Sequence, residues 1–455
     1  MNMRTHIVRS LLAGALAFLM LLTCGCMPAF STGGAIAEPD YPEMAPYPNE
    51  AEYINDFTGE FDSDGFSEVY DAWREDQRAR WNQPEGYADG LSPFFSRSIP
   101  ALLRTDAANP VCSPLNIYMA LSMLAETTGG NSRQQILDAL GAVSMDALRI
   151  QAGQVWNAHY SDDTATTTIL ANSLWLNNGL HYDSETVDTL AKDYYASVFQ
   201  GALGSNEMNQ ALRNWLNEQT GGLLEDQIQN VQMDPQTVLA LASTIYYRAK
   251  WHSEFSEAKN TASTFQAPGG DVDATFMNKQ LSYGPYFWGE DFAAAYLTLE
   301  DSSKMWLILP DEGKSPGDIL ESGLAMDLIL GVEEEYEDQK RIKVNLSLPK
   351  FDIAADMQLN EALQELGITD VFLQDHADFT ALLPEDDAWL EKAQHAARVA
   401  IDEEGITAAA YTVMMMAGAA MPPEDEVDFI LDRPFLFVIA SRDDLPLFAG
   451  IVNTP

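Results

Sequence analysis

Residues 109–117 read Asn109-Pro110-Val111-Cys112-Ser113-Pro114-Leu115-Asn116-Ile117. Cys112 sits in an apolar setting, where a small buried hydrophobe is the expected role rather than a reactive thiol. The other two cysteines of the chain are Cys24 and Cys26, so the body beyond them can hold no internal disulfide and must be stabilised by packing. The material for packing is ample, with 46% hydrophobic and 10% aromatic residues in 455.

Outward from this stretch the periodicities alternate between helix and strand. Ser132 and Gln135 have capping-box spacing ahead of Ile136, Leu137 and Leu140, and Gly141 supplies a left-handed stop. A second short helix is predicted through Leu359, Leu363 and Leu366, ending at Gly367. Ile342, Val344, Leu346 and Leu348 alternate with Lys343, Asn345 and Ser347, the period of a strand with one wet face. The apolar runs Met305 to Leu309 and Phe435 to Ile439, flanked by Pro310 and Pro434, predict buried strands. Helical signals crowd the first half and strand signals the second, which predicts an α+β fold. No period of 20 to 50 residues recurs, which excludes a solenoid or propeller.

Towards the N-terminus, Arg4 and Arg9 precede an apolar stretch from Leu11 to Leu22, too short to span a hydrocarbon core about 30 Å thick, and this predicts an export signal. Leu21-Leu22-Thr23-Cys24-Gly25-Cys26 resembles the acylation box of bacterial lipoproteins, with Cys26 the better acceptor because Gly25 precedes it. Residues 1–26 are therefore read as a lipoprotein-type signal peptide, and the protein as exported, either anchored at the cell surface by lipid on Cys26 or secreted. Residues 27–90 are read as an acidic Pro/Gly-rich tether, its composition favouring an extended, solvated chain over a packed core. Within it Val69, Trp73 and Trp81 have the spacing of one helix over Phe66 to Trp81.

The formal net charge is −44, from 69 acidic and 25 basic side chains, which argues against nucleic acid as a partner and is read first as a strongly solvated surface and only second as an aid to meeting a basic partner. The six histidines, at 6, 159, 181, 252, 376 and 395, include no His-x-x-x-His pair, and a lone body thiol makes no zinc site. Gly313-Lys314-Ser315 fails as a phosphate loop, because Ile308 stands where the first glycine belongs and Pro316 follows. There is no Gly-x-Ser-x-Gly elbow, and Asp375-His376 is read as a polar turn. No enzyme chemistry, metal or cofactor is indicated.

The opening stretch resembles the serpin family's "N-x-x-x-S-P-x-S-I", and further motifs follow in family order. They are Ala171-Asn172-Ser173-Leu174-Trp175, Thr244-Ile245-Tyr246-Tyr247-Arg248-Ala249-Lys250-Trp251, Leu348-Pro349-Lys350-Phe351, Leu366-Gly367-Ile368, Ala377-Asp378-Phe379-Thr380 and Arg433-Pro434-Phe435. The resemblance covers residues 91–455 and implies helices packed around a large central mixed β-sheet, two smaller sheets and an exposed reactive-centre loop. Glu403-Glu404-Gly405-Ile406-Thr407-Ala408-Ala409-Ala410-Tyr411-Thr412 looks like the hinge "E-E-G-T-E-A-A-A-A-T" of inhibitory serpins.

The resemblance implies a suicide-type inhibitor: a serine protease acylates itself on the loop, and the freed hinge side zips into the central sheet. Inserted as a strand, one face would carry Ile406, Ala408, Ala410, Thr412, Met414 and Met416, none charged, though the opposite face is uncharged too. Six buried side chains at ~1 to 1.5 kcal/mol each and about ten ladder bonds at ~1 each would release on the order of 10 to 20 kcal/mol. Spacing from the hinge to Pro422-Pro423 places the scissile bond at Ala419–Ala420, with Gly418–Ala419 and Met416–Ala417 as alternatives. Alanine suits the small primary pocket of an elastase-like or subtilisin-like protease. The resemblance maps a sheet shutter onto Ser113, Asn116, Ser243 and His395, and a loop-entry region onto Trp251, Lys350 and Glu403. Asn116 stands where the family usually has Ser and Ser243 where it usually has Asn, read as a compensating exchange around His395. Ile406 replaces a usual Thr or Ser and, with Tyr411, favours the alternative: a non-inhibitory serpin-fold surface binding protein that is merely cleaved. A monomer is expected.

Overall fold

Among the described residues seven α-helices precede residue 219: α1 (Ser63–Trp81), α2 (Ser92–Leu103), α3 (Pro114–Thr127), α4 (Gly130–Leu140), α5 (Met145–His159), α6 (Ser184–Asp193) and α7 (Asn206–Glu218). Three short ones follow, α8 (Pro316–Ser322), α9 (Leu324–Ile329) and α10 (Asn360–Glu365). The computed structural model describes residues 35–54, 59–104, 107–163, 165–225, 228–331, 337–406 and 425–455. The signal-peptide reading, Cys26 included, lies outside them. Gly34–Pro455 forms one compact unit.

The central sheet is built from β1 (Ala35–Ala37), β3 (Ser161–Asp162), β4 (Thr167–Asn177), β5 (Ala196–Gly201), β6 (Leu239–Lys250), β12 (Phe351–Gln358), β13 (Leu390–Ile401) and β14 (Gly405–Ile406). Its order is β1-β5-β4-β6-β14-β13-β12, with β3 on β4. The second comprises β2 (Val111–Cys112), β7 (Thr261–Ala267), β8 (Gly270–Trp288), β9 (Phe292–Thr298), β10 (Lys304–Pro310), β11 (Gln339–Pro349), β15 (Glu426–Ile430), β16 (Phe435–Ala440) and β17 (Pro446–Val452). The two smaller sheets expected are in fact one hydrogen-bonded path, β15-β11-β8-β9-β10-β16-β17-β2. The link is the 19-residue β8, which pairs with β7 and β11 and, at its last three residues, with β9.

Helix α3 packs on β4 and β6 of one sheet and on β17 of the other, with every residue but Glu126 buried. A helix apolar all round is what such a position demands. Its start is fixed by Pro114, whose missing N–H is no loss at the first turn, and by Ser113, whose Oγ accepts the Asn116 N–H at 3.2 Å. Cys112, fully buried in β2, has its thiol pushed up by burial and acts as packing.

Two expectations are corrected. Helix α4 begins at Gly130, ahead of the supposed capping box; Ser132 Oγ accepts the Asp378 N–H at 3.0 Å, and Gln135 Oε1 accepts the Thr369 and Asp370 N–H groups at 2.9 Å each. Both side chains tie the helix to a distant segment instead of closing its own end. The tether reading fails for residues 35–49 and 63–90. Ala35 and Ala37 add a strand to the edge of β5, the Tyr41 ring stacks on Trp156 at 5.7 Å, and the Tyr47 N–H donates to the Asp163 carbonyl at 2.6 Å. Helix α1 packs on α5 and reaches the β3 turn, where Gln77 Nε2 donates to Asp163 at 3.2 Å.

Candidate functional site

The hinge begins with Asp402, whose Oδ1 accepts the N–H groups of Glu404 at 2.9 Å and Gly405 at 3.1 Å, an Asx turn that aims the chain into the sheet. Three more bonds hold the turn: Trp251 Nε1 to the Asp402 carbonyl at 2.8 Å, the Trp251 N–H to Glu404 at 3.0 Å and the Phe255 N–H to Glu403 at 2.9 Å. Lys350 Nζ lies 2.6 Å from Glu403 Oε1, which also accepts from Asn260 Nδ2. Burial works to raise the Glu403 carboxyl, but the Lys350 ammonium and the Asn260 amide outweigh it and hold it below the usual glutamate range. The structure thus brings together Trp251, Lys350 and Glu403. It adds Asp402, Phe255 and Asn260, which sequence reasoning missed; Asp402 was legible as an Asp three residues before Gly405.

Beyond the turn, β14 lies between β6 and β13. Gly405 opposes Lys250, and Ile406 opposes Ala249 on one side and Ile401 on the other. The Ile406 side chain is buried, accommodated by the small Ala249 across from it. This fixes the register left open by the sequence: Ile406 shares the core face with buried Ala249 and Ile401. A Cβ on Gly405 would meet the Ala249 carbonyl oxygen at 2.4 Å, so the entry admits only glycine there without a shift of backbone.

Below β14 the two flanking strands pair directly and in parallel, from Leu390 with Leu239 to Ala396 with Thr244. The shutter residues lie at the upper end of this closed stretch, all fully buried. His395 Nε2 accepts the Ser113 N–H at 2.9 Å, so the proton is on Nδ1, which donates to Ser243 Oγ at 2.8 Å. Burial depresses the imidazole to about 3 and keeps it neutral. Asn116 Nδ2 donates to the carbonyls of Ala171 at 3.2 Å and Thr244 at 2.6 Å, bridging β4 and β6, while its Oδ1 accepts Asn172 Nδ2 at 3.0 Å. Asn172 is a further member of the network that the sequence did not yield.

Asn116 and Ser243 thus serve one buried network, through different partners: only Ser243 touches His395, and Asn116 reaches it through the backbone of Thr244 next door. Asn116→Ser is expected to lower the melting temperature by several degrees, because a hydroxyl cannot span two carbonyls and about 1–3 kcal/mol is lost per buried group left unpaired. Adding Ser243→Asn should restore part of the loss, since Asn172 is its cross-strand partner. Strict additivity in a thermal-melt double-mutant cycle would show that no compensation links the two positions.

The loop-entry turn, the half-seated β14 and the closed shutter make a sheet open at one end to an added strand. The family model for serpin (serine protease inhibitor) matches residues 94–455. The chain belongs to the serpin family. Serpins are protease inhibitors rather than enzymes, and serine proteases are their general partners. Among its relatives, leukocyte elastase inhibitor of Sus scrofa is 29% identical over 359 residues, covering 77% of this chain and 94% of that protein. Neuroserpin of Mus musculus is 28% identical over 369 residues, 76% of this chain and 86% of the relative. The crystal structure of the thermophilic serpin Tengpin in its native state superposes with a TM-score of 0.73 at 24% identity, over 82% of this chain and 95% of that one. Arabidopsis AtSerpin1 in its native stressed conformation gives 0.71 at 23%, over 82% and 100%. The bond Ala419–Ala420, read from the sequence as the reactive one, and the hinge residues read at Thr407, Ala408, Ala409, Ala410, Tyr411 and Thr412 lie outside the described residues.

Proposed function

We propose that this serpin is a suicide-type inhibitor of serine proteases with small primary pockets, elastase-like or subtilisin-like, cleaved between Ala419 and Ala420 and trapping the acyl-enzyme by inserting its loop into the central sheet. The observation that carries the reading is β14: Gly405 is already paired with β6 and Ile406 with both β6 and β13, while the strands below them remain joined to each other. The sheet is primed at its entrance and its lower rungs are still to be opened, the arrangement of a metastable fold with a strand left to add. Alanine at the bond and the similarity to leukocyte elastase inhibitor support the target class.

The test mixes the full-length protein with pancreatic or neutrophil elastase and with subtilisin, followed by denaturing gels and mass spectrometry of the released peptide. A complex that survives denaturation, with a peptide beginning at Ala420, is the expected result. Clean cleavage by every enzyme with none trapped would instead make the chain a non-inhibitory binding protein of the same fold.

A further inference from the structure

Helix α1 and the irregular segment around Tyr47 line a cavity of about 480 Å³ against the serpin body, within the range of small-molecule sites. On the α1 side its walls are aromatic. The Tyr47 ring stands at 81° to Trp73 and 83° to Tyr70, at centroid distances of 5.0 and 6.1 Å, and Tyr70 lies 5.5 Å from Trp73. Rings meeting near right angles present faces and edges in different directions, the corner of a box. Trp81 already carries a cation: the Arg442 guanidinium sits 4.3 Å from its ring centroid and donates to its carbonyl at 3.0 Å.

The body side supplies carboxylates. Asp163 accepts from Gln77 and from the N–H groups of Ala165 and Thr166; Asp301 accepts from the Tyr247 hydroxyl at 3.0 Å and from Ser303. All of these donors are neutral, and among the described residues neither carboxylate is in an ion pair. Burial raises both carboxyls, that of Asp163 to about 6, which is the electrostatic mark of a negative charge lacking a counter-charge. Gln77, fully buried beside Asp163, leaves its Oε1 with no donor among the described residues. Arg442 adds no free positive charge, because its Nε is 3.2 Å from Asp443.

We propose that this cavity binds a small organic cation, a primary ammonium carried on an aromatic-sized apolar body. The body lies against the side of the Tyr47, Tyr70 and Trp73 cluster that lines the cavity, and the ammonium supplies the counter-charge missing from Asp163 and Asp301, which line the same cavity. Faces of electron-rich rings and a desolvated carboxylate favour the same sign of charge, and they reject an anion of equal size. The site joins residues of α1 to the serpin body, which gives the N-terminal appendage a role independent of protease inhibition.

The test is tryptophan fluorescence of the full-length protein, excited where the probes do not absorb, during titration with 2-phenylethylammonium or with 3-phenylpropanoate, a probe of similar body and opposite charge. The expected result is a saturable change with the ammonium, weaker by about tenfold or more for the carboxylate and for Asp163→Asn. Asp301→Asn replaces that variant if circular dichroism finds it unfolded, with the same expectation. Equal binding of the two probes, an ammonium isotherm unchanged by removing the carboxylate, or no saturation by the ammonium at about 10 mM would overturn the proposal.

Discussion

Replacing Thr412 by arginine is expected to abolish the denaturation-resistant complex with elastase while the loop is still cleaved, raising the stoichiometry of inhibition by at least about tenfold. The argument rests on register. Ile406 opposes Ala249 on β6 and Ile401 on β13, and both pairings are antiparallel. Continued rung by rung, a strand through the hinge brings Thr412 opposite Ser243 on one side and His395 on the other. These are the residues whose side chains now bond to each other at 2.8 Å. Position 412 lies six positions, an even step, beyond 406, so Thr412 takes the core face, where Ser113, Asn116, Ser243 and His395 are fully buried. A threonine hydroxyl can both donate and accept, and so can re-pair the two groups that insertion parts. A guanidinium there would be buried beside a neutral imidazole with no carboxylate among the shutter residues, at a cost of several kcal/mol against an insertion that releases about 10 to 20. Slower insertion gives water time to free the acyl-enzyme. Tyr411→Arg, on the opposite face, should leave inhibition within a fewfold of the parent. Titration of elastase by each variant decides the matter: full inhibition by Thr412→Arg would mean that trapping does not use this register.

The parts of the fold that were legible are those whose signal is local. Ile342, Val344, Leu346 and Leu348 are all buried in β11 while Lys343, Asn345 and Ser347 are half-buried, because a strand's two faces report their surroundings every second residue. Gly141 and Gly367 close helices at φ of 71° and 92°, conformations that only glycine adopts cheaply. The shutter is different in kind. Ser113 and His395 are 282 residues apart in the chain and 2.9 Å apart in space, and no periodicity joins them; the family motifs did. Tyr41 shows what neither route could reach. In a Pro-rich acidic stretch one tyrosine changes the average composition little, yet its ring meets three others, and its partners at 156, 160 and 195 lie beyond any local window. The misread capping box has the same cause, since Ser132 and Gln135 have the right spacing for a local bond and partners more than 200 residues away.

Removing residues 1–90 is expected to lower the melting temperature by about 5 °C or more and to make the remaining body self-associate, although the family match begins only at residue 94. Four losses add up. The half-buried Tyr41 ring leaves Trp156, Tyr160 and Tyr195, at centroid distances of 5.7, 5.7 and 6.3 Å, and truncation of such a ring costs about 2 kcal/mol. The bonds of Tyr47 and Gln77 to Asp163, and of Arg80 to the Glu43 carbonyl at 2.8 Å, go with it. Taking α1 away also strips Trp81 from Arg442 and leaves that guanidinium with Asp443 alone. Finally β5 loses β1 and becomes the bare edge of the central sheet, a row of unpaired N–H and C=O groups open to a second copy. Tyr41→Ala in the full chain separates the terms: it should account for roughly half of the thermal loss, by the ~2 kcal/mol above, without exposing the edge, and so remain monomeric. Differential scanning fluorimetry and light scattering on the three proteins give the answer. A truncated body that melts within a degree of the full chain and stays monomeric would mean that the appendage rests on the serpin without stabilising it.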